Sequence, residues 1–355
     1  MREPYAVTGR AFVTGIGGQD GSYLAERLVA DGLEVHGLTR GDERPAYCPA
    51  GVVLHTGDVT DHGATRRLLL ELAPSEVYNL AAVSSVARSW AEPDLVRAVN
   101  ADAAVALLDS ALALQDAVGR PVRFLQASSA EIFGSPRECP QSESTPIAPS
   151  NPYGDAKAVA HLAVAAARER GLPAVSAILY NHESPRRPTT FVTRKITVGV
   201  AAIARGLRHA GGAAKEPGGD AGQPALAARQ PGGVAGQPGG GDRLVLGNLD
   251  ARRDWGWAPD HVDAMVRAVR HEDASDYVIA TGVSHSVRDF VAAAFERAGV
   301  TDWEPLVEVD PALVRPTDAV ELRGDASRAR EVLGWAPTRT FTEVVHAMVD
   351  ADLAR

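Results

Sequence analysis

RAFVTGIGGQDGSYLAERLVAD, residues 10–31, places an apolar run, a glycine-rich turn and an amphipathic run in direct succession. Arg10 to Thr14 predicts a β-strand, and Ser22 to Asp31 predicts a helix. The turn between them carries three regularly spaced glycines, Gly15, Gly18 and Gly21. Such a turn lets the backbone approach a pyrophosphate at the positive end of the helix. A glycine pattern alone is weak evidence, but the flanking strand and helix are the context that a dinucleotide site requires.

Further apolar runs alternate with helical segments downstream of this turn. The predicted strands are Glu34–Thr39, Val52–His55, Glu76–Ala82, Arg123–Ala127, Ala174–Leu179 and Tyr277–Ala280. Strands that alternate with helices predict an α/β fold with a doubly wound parallel sheet of the Rossmann type. Ligands of such sheets bind at the carboxyl ends of the strands.

The end of the second strand indicates which dinucleotide is bound. In NAD enzymes an acidic residue commonly ends this strand and holds the ribose 2′-hydroxyl. Here the strand is followed by Arg40, with Asp42 and Glu43 slightly later. Arg40 suits a 2′-phosphate, which favours NADP over NAD, although a surface arginine without a ligand is the alternative. Asp58, after the third strand, either contacts the adenine or caps the helix that starts near Asp61.

The candidate catalytic residues follow the fifth predicted strand. Tyr153 and Lys157 lie one helical turn apart, beside a helix predicted over residues 156–168, and so share a helix face. A cation beside a phenol favours the phenolate, which can accept a proton from a sugar hydroxyl near neutral pH. Such a pair is also common on solvated helix faces, and the upstream glycine turn favours catalysis. Ser129 and Glu131 stand at the carboxyl end of the fifth strand.

Composition excludes several classes of function. The formal net charge of −9 argues against a nucleic-acid binder. Two cysteines imply no disulfide framework, and no His/Cys cluster suggests a metal site. We see neither a signal peptide nor a membrane-spanning run. We therefore expect a cytoplasmic enzyme.

Residues 208–242 differ from the rest of the chain. They are rich in Gly, Ala, Pro and Gln and contain almost no large apolar side chains. Such a composition cannot bury enough surface to offset the entropy of ordering. We predict a disordered insertion in a surface loop.

Seven motifs together resemble one family. They are GIGGQDGSYLAE from Gly15, SAE from Ser129, PYGDAK from Pro152, NHESPRR from Asn181, FVTRKI from Phe191, GNLDARRDWG from Gly247, and RPTDAVELRGDASRAREVLGW from Arg315. The chain resembles the GDP-mannose 4,6-dehydratases, which belong to the extended short-chain dehydrogenase/reductase group. The resemblance covers nearly the whole chain except residues 208–242.

The resemblance implies two domains. A Rossmann domain, residues 1–180 plus about 257–284, is expected to hold NADP. A smaller C-terminal domain, about 181–256 plus 285–355, is expected to hold GDP-mannose. The family also implies a homo-oligomer, a dimer or a tetramer.

The resemblance also assigns roles to residues. It implies that Tyr153 is the base for the hydroxyl on sugar carbon 4, assisted by Lys157 and Ser129, and that Glu131 is the catalytic carboxylate. The implied NADP contacts are Gly15, Gly18, Gln19, Asp20, Gly21, Arg40, Asp58, Val59, Leu80, Ala81, Ala82, Tyr153, Lys157, His182 and Arg187. The implied substrate contacts are Ser84, Ser129, Glu131, Asn181, Glu183, Val192, Lys195, Gly247, Arg252 and Arg315.

The implied reaction converts GDP-D-mannose to GDP-4-dehydro-6-deoxy-D-mannose and water, with internal hydride transfer through bound NADP. One departure concerns the acid step, because Ala130 stands where the family usually has serine. The alternative is a sugar-nucleotide 4-epimerase or 4-ketoreductase, which shares the glycine turn and the Tyr-Lys pair but does not need Glu131. A non-catalytic NADP-binding protein is a third possibility, which the intact Ser129, Tyr153 and Lys157 disfavour.

Overall fold

The computed structural model describes residues 9–213, 243–314, 317 and 319–355. The chain divides into two compact units. The first comprises the described residues of Met1–Arg186, Ala251–His285 and Arg315–Phe341. The second comprises those of Arg187–Asp250, Ser286–Val314 and Thr342–Arg355. The predicted domain bounds differ from these units, since residues 181–186, 251–256 and 319–341 group with the first unit.

Numbered along the chain, the strands are β1 (Arg10–Thr14), β2 (Glu34–Thr39), β3 (Val53–Thr56), β4 (Glu76–Asn79), β5 (Arg123–Ala127), β6 (Ala174–Leu179), β7 (Asn181–Glu183), β8 (Leu244–Leu246), β9 (Arg252–Trp257), β10 (Asp276–Ile279), β11 (Ser284–Ser286), β12 (Val307–Val309) and β13 (Glu321–Leu322). The α-helices are α1 (Gln19–Ala30), α2 (His62–Leu72), α3 (Val86–Ala91), α4 (Pro93–Arg97), α5 (Ala103–Val118), α6 (Pro152–Glu169), α7 (Val192–Ala213), α8 (Ala258–Arg270), α9 (Val287–Ala298), α10 (Ser327–Leu333) and α11 (Phe341–Leu353). A π-helical turn spans Ala98–Asp102, and 3₁₀ turns span Ala130–Phe133, Glu304–Leu306 and Pro311–Leu313.

The first unit is built on a parallel seven-stranded sheet in the order β10-β6-β5-β4-β1-β2-β3. The order reverses between β1 and β4, as in the Rossmann fold. Alternate residues of β1 face opposite sides of the sheet. Val13 joins an apolar cluster with Leu24 of α1, whereas Phe12 joins a second cluster with Leu107 of α5. The predicted α/β Rossmann-type fold is confirmed, and β10 returns to this sheet as expected.

A small second sheet in the same unit was not predicted. It has the order β11-β9-β13, and β7 also pairs with β9. Buried Asp254 in β9 accepts hydrogen bonds from the Thr281 nitrogen and hydroxyl at 2.8 and 2.6 Å, and from the Gly282 nitrogen at 2.8 Å. These bonds fasten β9 to the loop after β10. This contact explains why residues 251–256 belong to the first unit.

The second unit contains α7, the parallel pair β8–β12, α9 and most of α11. Ser286 caps α9 through a reciprocal pair of hydrogen bonds with Asp289. α7 extends to Ala213, so residues 208–213 are helical and the predicted start of the insertion is wrong. The predicted insertion residues 214–242 lie outside the described residues, as does Arg315.

Among the described helices, none combines the length and the apolar character that crossing a membrane requires.

Candidate active site

The glycine-rich turn lies where the strand order reverses. Gly15 has a φ of +71°, and a Cβ added there would lie 2.8 Å from the Ala81 nitrogen. A Cβ at Gly21 would lie 2.2 Å from the Gly15 carbonyl oxygen, so both positions require glycine. Gly18 occupies the cap position of α1 and offers no side-chain oxygen to the first N–H groups of the helix. These groups are therefore arranged as in anion sites at helix amino termini.

A buried polar ladder crosses the carboxyl ends of three adjacent strands. Thr14 Oγ1 donates to Asn79 Oδ1 at 2.6 Å, and Asn79 Nδ2 donates to Gln126 Oε1 at 2.8 Å. Gln126 Nε2 then donates to the Ala127 carbonyl at 3.0 Å. The same carbonyl accepts a hydrogen bond from Lys157 Nζ at 2.8 Å. The ladder thus joins the end of β1 to the Lys157 amine.

Tyr153 and Lys157 lie in the first two turns of α6, which begins at Pro152 rather than at the predicted Ala156. Both side chains are buried, at 8% and 3% exposure. Lys157 Nζ is 5.8 Å from the centroid of the Tyr153 ring. Burial lowers the pKa of Lys157 to about 8, against an opposing effect of the Asp20 charge. A cation is therefore placed beside the phenol, as the sequence predicted.

Ser129 and Glu131 lie at the 3₁₀ turn that follows β5. Ser129 Oγ accepts a hydrogen bond from the Glu131 nitrogen at 3.3 Å. Glu131 Oε2 accepts one from Asn151 Nδ2 at 2.8 Å. Asn151 is the N-cap of α6, where its Oδ1 accepts from the Gly154 nitrogen at 2.8 Å. The structure therefore brings Glu131 to the helix that carries Tyr153 and Lys157.

Ala130, the departure from the family pattern, has its methyl group in an apolar cluster with Ile132, Phe133 and Ile178. It is 4% exposed. The smaller side chain thus fits an apolar environment.

The turn residues Gln19 and Asp20 contact the segment after β6. Gln19 Nε2 donates to the His182 carbonyl at 3.1 Å, and Ser184 Oγ donates to Gln19 Oε1 at 2.8 Å. His182 Nε2 lies 2.9 Å from Asp20 Oδ2, and its Nδ1 lies 2.7 Å from the Tyr180 carbonyl. These bonds hold the segment with His182 against the glycine turn.

The predicted adenosine contacts lie at the ends of β2, β3 and β4. Arg40 and Asp58 are exposed. Hydrogen bonds from Thr60 lower the pKa of Asp58, and the positive charge of Arg40 adds to this effect. Asp61, not Asp58, caps α2 by accepting from the Ala64 nitrogen at 2.9 Å, so the alternative in which Asp58 caps the helix is wrong. Four further predicted cofactor contacts follow β3 and β4 and are half-buried: Val59, Leu80, Ala81 and Ala82. Ser84, a predicted substrate contact, follows them in the chain and is exposed.

The remaining predicted substrate residues fall in both units. In the first, Asn181 is half-buried, Glu183 is buried, and Arg252 Nη2 donates to the Ser284 carbonyl at 2.7 Å. In the second unit, the predicted substrate residues are Val192, Lys195 and Gly247. The same unit holds Arg187, a predicted cofactor contact, whose guanidinium lies 3.8 Å from the centroid of the Phe191 ring.

Four residues of the site were missed by sequence reasoning: Thr14, Asn79, Gln126 and Asn151. The first three are polar residues at the ends of apolar strands, which is a readable signal at a ligand-binding edge. An asparagine directly before a proline that opens a helix is likewise a recognisable N-cap. Within the part of the chain that the structure describes, no group of three His, Cys, Asp or Glu residues could hold a metal ion.

A sequence profile described as GDP-mannose 4,6 dehydratase matches residues 12–214 and 234–348. The chain belongs to the GDP-mannose 4,6-dehydratase family. Among curated members of this family, GDP-mannose 4,6 dehydratase 1 of Arabidopsis thaliana is 41% identical over 357 residues, which cover 97% of this chain and 89% of that protein. The GDP-mannose 4,6-dehydratase of Vibrio cholerae is 37% identical over 383 residues, with 97% and 94% coverage.

Solved structures of related sugar-nucleotide enzymes share the fold. The UDP-glucose 4-epimerase of Thermus thermophilus, determined in complex with NAD, superposes with a TM-score of 0.76 at 25% identity. The match covers 97% of this chain and 98% of the epimerase. This dehydratase-family chain therefore has the architecture of a nucleotide-sugar epimerase, and the distinction between the two activities must come from the site.

Proposed function

We propose that the protein is a GDP-mannose 4,6-dehydratase that converts GDP-D-mannose to GDP-4-dehydro-6-deoxy-D-mannose and water. One observation carries the proposal within this fold. A carboxylate, Glu131, is held 2.8 Å from the cap residue of the helix that bears Tyr153 and Lys157. Oxidation at carbon 4 needs only the Tyr-Lys pair, whereas loss of water also needs a group that removes the proton on carbon 5. Glu131 supplies that group.

The residues of the first unit fit a nicotinamide dinucleotide. The backbone at Gly15 approaches Ala81 so closely that a Cβ has no room, and Gly18, at the cap of α1, has no side chain that would compete with a phosphate for the first N–H groups of the helix. Arg40, exposed at the end of β2, supports NADP rather than NAD, because a guanidinium pairs well with a 2′-phosphate. The bound cofactor would accept hydride from sugar carbon 4 and return it to carbon 6. Further proposed cofactor contacts are Gln19, Asp20, Gly21, Asp58, Val59, Leu80, Ala82, Tyr153, Lys157, His182 and Arg187.

The chain's own groups move the protons. Tyr153 accepts the proton of the carbon 4 hydroxyl, with Lys157 favouring the phenolate and Ser129 binding the same oxygen. The resulting ketone acidifies the proton on carbon 5, which Glu131 removes. Because Ala130 has no hydroxyl, Glu131 then donates this proton to the hydroxyl that leaves carbon 6 as water. One carboxylate therefore acts as base and then as acid. Hydride return to carbon 6 leaves carbon 5 to be reprotonated, and the proton that Tyr153 took from the carbon 4 hydroxyl balances this step.

The proposed contacts with GDP-mannose are Ser84, Asn181, Glu183, Val192, Lys195, Gly247, Arg252 and Arg315, in addition to Ser129 and Glu131. The cations among them suit the diphosphate of the nucleotide. We also propose a homo-oligomer, a dimer or a tetramer. Val159 and Leu162 on α6 support this proposal, since they are 46% and 56% exposed and apolar.

Incubation of the purified protein with GDP-mannose tests the function. Mass spectrometry should detect a 4-keto-6-deoxy product that is lighter by one water. An epimerase would give an isomer with no change in mass, and a 4-ketoreductase would leave GDP-mannose unchanged because it consumes a ketone. Either result would overturn the proposed dehydration.

A further inference from the structure

Asn151 uses both ends of its side-chain amide. It is 5% exposed and has an extended backbone, with φ −153° and ψ 158°. Its Oδ1 accepts from the Gly154 nitrogen, and its Nδ2 donates to Glu131 Oε2. The Gly154 N–H can only donate, so it fixes which end of the amide is oxygen. The nitrogen must therefore face the carboxylate.

The neighbouring residues hold this geometry. Pro152 restricts the preceding residue to extended conformations, which suit the N-cap position. A Cβ added to Gly154 would lie 2.5 Å from the Glu131 carbonyl oxygen. The first turn of α6 thus packs directly on the backbone of Glu131, while Asn151 binds its side chain.

We propose that Asn151 is a positioning residue, which aims the Glu131 carboxylate at the substrate and fixes it relative to Tyr153 and Lys157. The proposal rests on the base role proposed for Glu131. Loss of the Asn151 donor frees the carboxylate to rotate while Tyr153 and Lys157 stay in place. Misplacement of a reacting group by about 1 Å can cost about 100-fold in rate.

Two substitutions separate positioning from helix capping. Asn151→Asp is nearly isosteric and keeps the cap oxygen, but it cannot donate to Glu131. Asn151→Ser also keeps a good cap and adds no charge. Both variants lose the hydrogen bond to the Glu131 carboxylate, so their unfolding temperature should fall modestly while they remain folded under assay conditions, and product formation should fall about 10- to 100-fold. Asp61→Asn, at the exposed cap of α2, is the matched control and should turn over like the wild type.

Two kinetic readouts report on Glu131 rather than on general folding. In Asn151→Asp a second carboxylate stands beside Glu131, so the acidic limb of the pH–rate profile should move to higher pH. In Asn151→Ser the limb should not rise in this way. With GDP-mannose deuterated at carbon 5, both variants should show a larger isotope effect than the wild type, because proton removal becomes slower relative to the other steps.

The outcomes distinguish this inference from the proposed function. If the wild type forms no 4-keto-6-deoxy product, the function fails and the inference fails with it. If the wild type forms product and both Asn151 variants match its rate and isotope effect, only the inference fails. If both variants lose stability and slow every step equally, Asn151 is a cap alone, and the positioning role is overturned.

Discussion

Changing Glu131 to glutamine should separate oxidation of the sugar from loss of water. Glutamine keeps the length of the side chain and an oxygen that can accept from Asn151 Nδ2, which lies 2.8 Å from Glu131 Oε2 in the wild type. The substitution therefore removes the proposed base while keeping the side chain in place. Tyr153 and Lys157 lie on α6 and are untouched.

The size of the effect follows from what the change removes. A hydrogen bond to a charged group contributes about 1.5–3 kcal/mol to stability and a neutral one about 0.5–1.5, so the free energy of unfolding should fall by only about 1 kcal/mol. A positioned base contributes about 10²–10⁴-fold to the rate. At about 1.4 kcal/mol per tenfold, that is about 3–5 kcal/mol of activation free energy. The expected loss of rate is therefore much larger than any loss that partial unfolding of the variant could cause.

The assay measures the two steps separately. After mixing the NADP-loaded variant with GDP-mannose, absorbance at about 340 nm reports reduced nicotinamide, and mass spectrometry reports product. We expect the absorbance change to persist and the product to fall about 10²–10⁴-fold. Tyr153→Phe should lose both signals. Product formation by Glu131→Gln at the wild-type rate would refute the elimination role, and loss of the absorbance change would show that Glu131 also serves the oxidation.

Three further predictions concern the cofactor and pH. Arg40→Ala should remove most of the preference for NADP over NAD, and equal wild-type dissociation constants for the two cofactors would contradict the assignment. The kcat/KM of the wild type should fall above about pH 8, because buried Lys157 has its pKa lowered to about 8 and then loses the charge that favours the Tyr153 phenolate; a flat profile to high pH would refute this role. Burial holds the pKa of His261 well below its ordinary value, with a further contribution from the stacked His182. Because the pKa of His261 is higher in the unfolded chain, protonation of this group favours unfolding. The free energy of unfolding should therefore be highest above about pH 6.5 and should decrease as the pH falls, by up to about 1.4 kcal/mol per pH unit for this one group. Urea unfolding at several pH values should show a shallower dependence for His261→Gln, and an unchanged slope would refute the assignment.

Much of the first unit could be predicted from periodicity. The strands β1, β2, β5 and β6 have the predicted bounds. α1 and α6 begin earlier than predicted, at Gln19 and Pro152. Gly21 and Pro152 are poor helix formers in general, so the sequence pattern placed both helix starts too late. In the first turn of a helix, however, proline fits well, and glycine allows close packing.

Contacts between distant parts of the chain could not be predicted. Arg194 has no acidic residue close to it along the chain. It is instead buried and paired with Asp352, far along the chain in the same unit. The strands β7, β11 and β13 have only two or three residues each, and so lack a readable period. They exist because β9 and its neighbours supply partners, which only the folded chain reveals.

At the candidate site, the familiar sequence motif is less informative than the residues that precede it. YxxxK is a common pattern, and on its own it does not distinguish a catalytic pair from a surface pair. The residues just before it carry more information: an asparagine that caps the helix, a proline that fixes the cap conformation, and Gly154, which leaves room for the Glu131 carbonyl. Together they join Tyr153, the proposed proton acceptor for carbon 4, to Glu131, the proposed base for carbon 5, through one helical turn. Because an epimerase does not need the carboxylate, it has no chemical reason to preserve this connection. The coupling can be tested with Asn151 and Glu131 as a pair: if the two residues act as one unit, the loss of product in the double variant Asn151→Ser/Glu131→Gln should be no greater than in Glu131→Gln alone, and a further loss in the double variant would show that Asn151 acts independently of the carboxylate.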